Sequence, residues 1–301
     1  MCFTSHGKNR GRKGRKKYQV KQRKKRKKML WVILLLGIAV LVGWIAWGNR
    51  TIGCTEIQVR SAHLPEAFSG YTIAQVSDLH NAEFGADNER LLEALRQAAP
   101  DLIALTGDLV DSRRTDLDCA IAFVQAAVEI APVYYVTGNH ESRIAAYPEL
   151  EHAMEQAGVH VLRNETEQIE WDGALLSVSG VDDPTFFTTD EQFVQTLQSL
   201  LPTDDTFTLL LSHRPELFGT YVGCGVDLTL SGHAHGGIVR LPGTDGLFSH
   251  DLDLFPSYTA GLYEENGSVL FVTRGLGNSG PSFRVFNRPE IAVLTLRRAE
   301  G

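Results

Sequence analysis

Three short apolar segments, each followed by a polar cluster, constrain the fold of this chain more than any other feature. They cover residues 71–76, 102–106 and 133–137, and they lead into the sequences SDLH, GDLVD and GNHE. Residues 88–99 and 116–130, between them, have the apolar spacing of helices. This β-α-β-α-β order predicts parallel strands whose carboxyl ends share one edge of a sheet.

The second half of the chain is richer in predicted strands than in predicted helices. Helices are expected at residues 148–157 and 190–200. Strands are expected at residues 159–162, 168–171, 174–180, 206–212, 226–231, 269–273 and 291–296, with an edge strand at residues 55–60 before the parallel unit. We therefore predict an α/β fold in which two mixed β-sheets pack together and helices cover both outer faces. Residues 236–256 lack periodicity and are predicted to form a long irregular loop.

Residues 29–47 form a run without charge that is long enough to cross a bilayer as one helix. Three tryptophans, Trp31, Trp44 and Trp47, lie near its ends, where amphipathic aromatic side chains are favoured. A cleaved signal peptide is the alternative, but the run is longer than a usual signal core and no A-x-A-like site follows it. Lipidation at Cys54 is a third alternative, and Thr51, Ile52 and Gly53 make a poor signal for it. We predict a single transmembrane helix.

The charges of the chain are divided between a cationic tail and an anionic body. Of the 29 Lys and Arg residues, 14 lie in residues 8–28, and residues 51–301 carry 14 arginines against 36 acids, a net charge of −22. By the positive-inside rule, the tail is cytoplasmic and residues 51–301 are extracytoplasmic, and the tail is expected to contact anionic lipid headgroups. A body this acidic repels a nucleic-acid backbone, so we expect no nucleic-acid partner.

The four cysteines are far apart in sequence and contain no CxxC pair, which excludes a zinc ribbon or a thioredoxin-like motif. We predict no disulfide. Cys119 and Cys224 are expected to be small core residues.

Polar residues that can bind metals gather at the predicted strand ends. They are Asp78, His80, Asp108, Asp111, Asn139, His140, His213, His233 and His235. Asp108 alone would fit a helix N-cap and Asn139 alone a turn, but a set of nine at one edge favours a shared site. Carboxylate and imidazole groups suit divalent cations, and a pair of cations needs a bridging carboxylate.

Two of these histidines flank one alanine in SGHAHGG, residues 231–237. On an extended segment the side chains of His233 and His235 would point the same way, toward one small volume. The glycines on both sides allow a tight turn and a close approach to a ligand. Spacing alone therefore predicts a turn in which both imidazoles bind one metal.

Five motifs in order, SDLH, GDLVD, GNHE, SHRPE and GHAHGG, resemble the signatures of the calcineurin-like metallophosphoesterase family over residues 71–296. The HRPEL and RGLGN segments are similar to those of its membrane-anchored bacterial branch. The resemblance implies a four-layer αββα sandwich. It divides the chain into a basic cytoplasmic tail (1–28), a transmembrane helix (29–47), a linker with an edge strand (48–70) and a metallophosphoesterase domain (71–301).

The resemblance also implies a role for each motif residue. Asp78, His80 and His235 would bind one divalent metal ion, Asn139, His213 and His233 the other, and Asp108 would bridge both; Mn, Fe and Zn are candidate metals. His140 would face the scissile phosphate as a general acid or charge stabiliser, with Asp111 orienting it. Arg214 and Arg274 are candidates for contacting the phosphate. We expect Glu141 to fasten the GNHE turn, and His63, His152, His160 and His250 to lie outside the site. Asp251 and Asp253 are expected in a solvated loop.

The implied activity is hydrolysis of a phosphodiester or pyrophosphate by a metal-bridged hydroxide. Membrane-anchored relatives resemble enzymes that act on phosphorylated lipids, including UDP-diacylglucosamine pyrophosphatases, so a lipid-linked or cell-envelope substrate is expected. Two alternatives are a protein phosphatase, since GDLVD and GNHE also occur there, and a non-hydrolytic envelope binding protein stabilised by metals. The intact His140 and Asp111 argue against the second.

Overall fold

In the computed structural model, the three apolar segments of the first half are adjacent parallel strands, as predicted. They belong to a six-stranded sheet, sheet 1. Its strands are, in spatial order, β1 (Gly53–Ser61), β12 (Glu290–Arg298), β2 (Thr72–Val76), β3 (Leu102–Thr106), β4 (Val133–Val136) and β5 (His160–Val161). Strand β12 runs antiparallel to β2, whereas β1 is parallel to β12 and forms the edge.

The structure describes residues 8–240, 245–247, 254, 256–279 and 284–299, without the side chains of residues 8–16 and 20. The predicted loop at 236–256 therefore lies partly outside the described residues, and His250, Asp251 and Asp253 lie wholly outside them. The chain divides into two units, Met1–Trp47 and Gly48–Gly301.

The later strands form a second six-stranded mixed sheet, sheet 2, which confirms the predicted pair of sheets. Its spatial order is β10 (Gly261–Glu265), β11 (Ser268–Val272), β9 (Leu228–Ser231), β8 (Thr208–Leu211), β7 (Ala174–Gly180) and β6 (Glu165–Trp171). The four central strands are parallel and the two edge strands are antiparallel to their neighbours.

Helices cover the outer face of each sheet and complete four layers. They are α2 (Glu89–Ala98), α3 (Leu117–Ala127) and α4 (Tyr147–Ala157) on sheet 1, and α5 (Asp190–Leu200) and α6 (Phe218–Cys224) on sheet 2. Between the sheets, inward side chains such as Ile73, Val136, Leu209 and Phe271 form a separate buried core. Two further cores lie between each sheet and the helices that cover it. Burial contributes about 1.5–3 kcal/mol for each apolar side chain, so the three cores together fix the layer order.

Local signals fix several helix ends. The Asp116 carboxylate accepts the Cys119 N–H at 3.2 Å and starts α3, and Thr189 caps α5 in the same way. Gly158 ends α4 with a left-handed backbone, which glycine adopts without steric cost. These ends lie within three residues of the predicted ones.

The structure differs from the sequence prediction at a few short elements. Helix α6 and strand β10 were not predicted, because FGTYVGC and GLYEE are short and show neither period clearly. Strand β5 has two residues instead of the four predicted. Cys119 and Cys224 are half-buried and not fully buried core residues, because they lie in the first turn of α3 and at the last residue of α6. The cysteines at 54, 119 and 224 are free thiols.

Helix α1 (Lys8–Asn49) belongs to the N-terminal unit and carries both the basic residues and the apolar run. Its stretch from Lys17 to Asn49 is long and apolar enough to cross a membrane. Large side chains of the run, including Trp31 and Leu36, are exposed, as expected of a helix whose apolar surface contacts lipid.

Candidate metal centre

The candidate ligands sit on sharp turns that follow the carboxyl ends of strands from both sheets. Asp78, His80, Asp108, His233 and His235 all have positive φ angles, between 46° and 65°. This left-handed conformation is uncommon outside glycine, although Asp and His tolerate it better than most residues. Because His233 and His235 are both left-handed, the GHAH segment is not extended and the same-side argument from their spacing does not apply.

Two glycines let the turns after β3 and β4 approach each other. A Cβ atom on Gly138 would lie 2.2 Å from Oδ1 of Asp108, and one on Gly107 would lie 2.7 Å from Cα of Gly138. The Asp108 carboxylate can therefore occupy its buried position only because position 138 has no side chain.

Asp78, His80 and His235 form one cluster of buried ligand atoms. The Nε2 atoms of His80 and His235 are 3.2 Å apart, and Oδ1 of Asp78 is 3.5 Å from Nε2 of His235. The two rings stack with their centroids 5.0 Å apart. These three side chains come from the ends of β2 and β9, on different sheets.

Asp108, His213 and His233 form a second cluster. Oδ2 of Asp108 lies 3.3 Å from Nε2 of His213 and 3.6 Å from Nε2 of His80. Asp108 thus lies between the two clusters. Asn139 is also buried, and its Oδ1 atom has no hydrogen-bond partner among the described residues.

The donor atoms of both clusters fit metal cations. Nδ1 of His213 donates to the Thr106 carbonyl at 2.7 Å, which directs Nε2, a buried atom without a hydrogen-bond partner in the described part of the chain, toward the cluster. Such an outer hydrogen bond orients metal-binding histidines in general. Nε2 of His213 and Oδ1 of Asn139 are both buried here without the hydrogen-bond partner among the described residues that buried polar atoms require, which favours a cation as their partner.

Electrostatics couple the ionisable groups of the two clusters. Burial opposes charge on His213, but the Asp108 carboxylate raises the His213 pKa to about 10. Burial also opposes ionisation of Asp108, yet its pKa is held well below the usual range by His213. Burial lowers the pKa of His80 to about 3 and raises that of Asp78 to about 6. A cation bound by these atoms would displace protons, because metal ligands must be deprotonated.

His140 lies beside the clusters, and its ring is 4.6 Å from the His80 ring, centroid to centroid. Burial lowers its pKa. Oδ1 of Asp111, the residue expected to orient His140, is 3.6 Å from its Nδ1 atom, farther than a hydrogen bond. The same Oδ1 atom accepts the backbone N–H of Arg113 at 2.9 Å.

Glu141 fastens the GNHE turn to the GDLVD turn. Its buried carboxyl group accepts backbone N–H groups from Asp108 at 3.0 Å, Val110 at 3.3 Å and Gly138 at 2.7 Å. Burial and the nearby Asp108 raise its pKa to about 8. Glu141 thus holds the two turns together, which is the role expected of it from the sequence.

The two candidate phosphate-contacting arginines occupy different surroundings. Nη1 of Arg214 is 2.8 Å from Nε2 of His233, and its Nε donates at 2.6 Å to Asp183, whose side chain is fully buried. Arg274 instead pairs with Glu290, away from the imidazoles. The structure therefore brings Arg214, but not the Arg274 guanidinium, to the candidate ligands.

Sequence reasoning missed two residues that support the site, Asp183 and Arg284. The guanidinium of Arg284 is fully buried, donates to backbone carbonyls of the RGLGN segment, and lies 3.3 Å from Nδ1 of His235. Burial lowers its pKa to about 10. Neither residue lies in a metal-binding motif, and only Asp183 carries a sequence signal, a charge three residues after the end of β7.

Comparison with known proteins agrees with this geometry. Residues 71–237 match the model of the calcineurin-like phosphoesterase family. An uncharacterized metallophosphoesterase of Bacillus subtilis (strain 168), YkuE, is 30% identical over 254 residues, which cover 82% of this chain and 86% of that protein. A transmembrane protein with metallophosphoesterase domain from Danio rerio is 26% identical, over 81% of this chain and 57% of its own length.

A solved structure, a dimetal phosphatase from Danio rerio, superposes with a TM-score of 0.47 at 12% identity, covering 76% of this chain and 93% of that one. The family model matches more than half of this chain, and the matched region contains the turns that carry Asp78, Asp108, His140, His213 and His235. The protein is a member of the calcineurin-like phosphoesterase family.

Proposed function

We propose that this protein hydrolyses a phosphodiester or pyrophosphate with the help of two divalent cations. The observation that carries the proposal is the convergence of two Asp/His clusters, with Oδ2 of Asp108 in the second cluster 3.6 Å from Nε2 of His80 in the first. Asp78, His80 and His235 would hold one cation, and Asn139, His213 and His233 the other. When bound, such a pair supplies a hydroxide near neutral pH and withdraws charge from phosphoryl oxygens.

The protein's own groups would bind and orient the phosphoester. Arg214 is held by buried Asp183, so its position is fixed before a substrate arrives. A guanidinium fixed in this way can donate a charge-assisted hydrogen bond to a phosphoryl oxygen. His140 would face the scissile bond, and Asp111 would act on it by holding the turn of residues 111–113.

One feature supports a lipid-linked substrate. The stretch of α1 from Lys17 to Asn49 is long and apolar enough to cross a membrane. A site tethered to a membrane meets headgroup phosphates at high effective concentration.

We propose that α1 anchors the protein in the cell membrane, with residues 1–28 as the cytoplasmic tail and the catalytic domain outside. The transmembrane relative from Danio rerio supports an anchored arrangement. The basic residues support the orientation and contact with anionic headgroups. Reporter fusions after residue 50 and at the C-terminus should both report an external location, and a cytoplasmic signal from either would refute the orientation.

Asp108→Asn tests the catalytic proposal in the full-length protein. We expect wild-type turnover of a chromogenic phosphodiester with Mn²⁺, its loss in EDTA, and a loss of at least about 10²-fold in the variant. Asp172→Asn is a matched control, because Asp172 is an exposed turn residue with a similarly left-handed backbone (φ 46°). Turnover that survives EDTA or the Asp108 substitution would exclude the two-cation mechanism.

A substrate panel separates the proposed class from the alternatives. Diesters and pyrophosphates presented in vesicles should be turned over faster than phosphopeptides. A preference for phosphopeptides would indicate a protein phosphatase. Metal-loaded protein that binds an envelope lipid but hydrolyses none of the panel would indicate a binding protein.

A further inference from the structure

Strand β1 forms one edge of sheet 1 and pairs with β12 over its nine residues, in a continuous register without a bulge. Its bonds toward β12 come from odd-numbered residues. The N–H of Gly53 donates to the Pro289 carbonyl, and the Ser61 carbonyl accepts the N–H of Ala299. Because the bonding direction alternates along a strand, the N–H and C=O groups of residues 54, 56, 58 and 60 point to the other side. Within the described residues, no strand pairs with β1 on that side.

The other three sheet edges are protected against pairing in ways that β1 is not. Strand β5 has only two residues. Strand β6 carries three glutamates and no basic residue, and β10 ends in two glutamates, so a second copy of either strand would be repelled. Strand β1 is long, contains no proline and carries charges of both signs, Glu56 and Arg60. A long and regular edge of this kind is a template for pairing with another strand.

The side chains of the edge-facing residues lie on an open face of β1. Cys54, Glu56, Gln58 and Arg60 are exposed, whereas the side chains between them are partly or fully buried. A groove of about 670 Å³ lies on this face between β1 and α2, and Glu56, Gln58 and Gln97 are among the residues that line it. Helix α2 therefore leaves this face of β1 uncovered, so a second strand can approach the edge without displacing a helix.

We propose that two copies of this protein associate through the free edges of β1, which pair antiparallel and are centred on Gln58. In this register Glu56 lies opposite the partner's Arg60, and Arg60 lies opposite the partner's Glu56. Centring the pair on Glu56 or on Arg60 would instead oppose like charges. Centring it on Ile57 or Val59 would place both charges opposite uncharged residues. The register centred on Gln58 is therefore the one that forms two pairs of opposite charge.

Both the backbone and the side chains of β1 suit this contact. Backbone hydrogen bonds between the two edges provide the attraction, and the two symmetric charge pairs select the register. Within the described residues neither Glu56 nor Arg60 forms an ion pair, and Arg60 donates to Oε1 of Gln58 at 2.9 Å, which holds the guanidinium over the strand. A two-fold contact uses the same surface on both copies, as in most homodimers. Each copy then contributes its six-stranded sheet 1 to one continuous sheet.

Charge reversal tests the register in the full-length protein. The dissociation constant of the dimer is measured by sedimentation in density-matched detergent. We expect Glu56→Arg and Arg60→Glu each to raise this constant about tenfold or more, because each substitution places like charges opposite each other twice. The double variant Glu56→Arg/Arg60→Glu restores both pairs and should return to within about threefold of wild type.

Glu170→Arg is a matched control, because it reverses an exposed charge on the edge strand β6 and should leave the dimer unchanged. Bound metal and the thermal midpoint should stay at wild-type values in all these variants, since none of the substituted residues lies in the metal clusters. Wild-type protein that sediments as a monomer, or a dimer that neither single reversal weakens, would overturn the inference. A double variant that stays as weak as the single variants would overturn the register.

A cysteine at the centre of the pair gives a positional test. Directly opposite residues in a hydrogen-bonded antiparallel pair have Cα atoms about 5.5 Å apart, which suits a disulfide. With Cys2→Ser in every protein, we expect Gln58→Cys to form an intermolecular disulfide under mild oxidation. Native Cys54, exposed on the same face, is the control, because the two copies of it would lie about 27 Å apart along the paired strands. Cross-linking through Cys54, or none through Gln58→Cys, would contradict the proposed pairing.

Discussion

At the scale of single residues, the two histidines of SGHAHGG have different neighbours although they are two positions apart. His233 packs against the His213 ring, at 5.0 Å between centroids, whereas His235 stacks on His80. Left-handed backbones at both positions turn their side chains to different clusters. The segment thereby spans the distance between the two proposed cations, and neither histidine needs to share a cation with the other.

This separation predicts different metal losses. His233→Ala should lose the cation of the Asn139 and His213 group, and His235→Ala the cation of the Asp78 and His80 group, each retaining about one equivalent. Loading with two distinguishable metals followed by elemental analysis identifies which ion is lost. Loss of the same ion in both variants would contradict the assignment. His152→Ala, on the surface of α4, is the control.

At the scale of elements, the site depends on how closely turns from neighbouring strands approach. Gly138 lies against the Asp108 backbone and carboxylate, and Glu141 joins both turns through three backbone N–H groups. These contacts place the turns after β3 and β4 so that Asp108 and Asn139 reach the same volume. The local requirement is steric, because a single methyl group at position 138 would occupy the space of the carboxylate.

Gly138→Ala is therefore expected to displace Asp108. We expect loss of at least one metal equivalent and a destabilisation of about 2 kcal/mol or more, in the range of overpacked cores. Gly219→Ala in α6 is a matched control, since a Cβ there meets nothing within 4 Å and alanine favours helix. Metal content and thermal unfolding measure both effects. A Gly138→Ala protein with two metals and wild-type stability would show that the turns can separate without cost.

A second contact between elements lies at the opposite end of the sheets. His63, in the loop after β1, bonds through Nδ1 to Asp227, which precedes β9, at 2.6 Å, and through Nε2 to the Asp205 carbonyl at 2.9 Å. The hydrogen bond from Asp227 raises the His63 pKa above 6.5, its ordinary value, while burial opposes the shift and Asp205 adds to it. The contact therefore joins the loop after a sheet 1 strand to sheet 2 most strongly when the imidazole is protonated.

This raised pKa predicts a pH-dependent contribution to stability. The contribution is complete below about pH 6.5, where both folded and unfolded states are protonated, and it is lost as pH rises through the folded-state pKa. We expect His63→Gln to lower the unfolding midpoint more at about pH 5.5 than at about pH 8.5. The corresponding loss of unfolding free energy should be less than about 1 kcal/mol, because the pair is partly exposed. His152→Gln is the control. An equal effect at both pH values would show that the ion pair does not contribute.

At the scale of the whole molecule, buried charge is concentrated where the two sheets meet at their carboxyl ends. Asp78, Asp108 and the imidazoles of His80, His213 and His235 are fully or nearly fully buried in a body whose sequence carries a net charge of −22 from residue 51 onward. Buried carboxylates repel one another and lose hydration, so cations bound there should stabilise the fold as well as serve catalysis.

Chelation should therefore destabilise the whole domain. At a free metal concentration about 10³ times the dissociation constant, binding contributes about 4 kcal/mol. For a domain of this size, EDTA should lower the thermal midpoint by on the order of 10 °C. Asp108→Asn should show a much smaller EDTA effect, because its metal affinity is already reduced. A midpoint that does not respond to EDTA in wild type would show that the clusters are not occupied in the folded protein.

The sequence by itself determined the parallel order of β2, β3 and β4, the presence of a second sheet, the apolar run of α1 and the motif residues at the strand ends. It did so because hydrophobic periodicity is local, and because parallel strands necessarily bring their carboxyl ends together. Tertiary structure alone decided which imidazole lies in which cluster, that Ser112 and not Asp111 contacts the His140 ring, and that Arg284 is buried against His235. These contacts depend on left-handed turns and on sheet packing between residues as many as 155 positions apart, such as His80 and His235, and no local pattern encodes them.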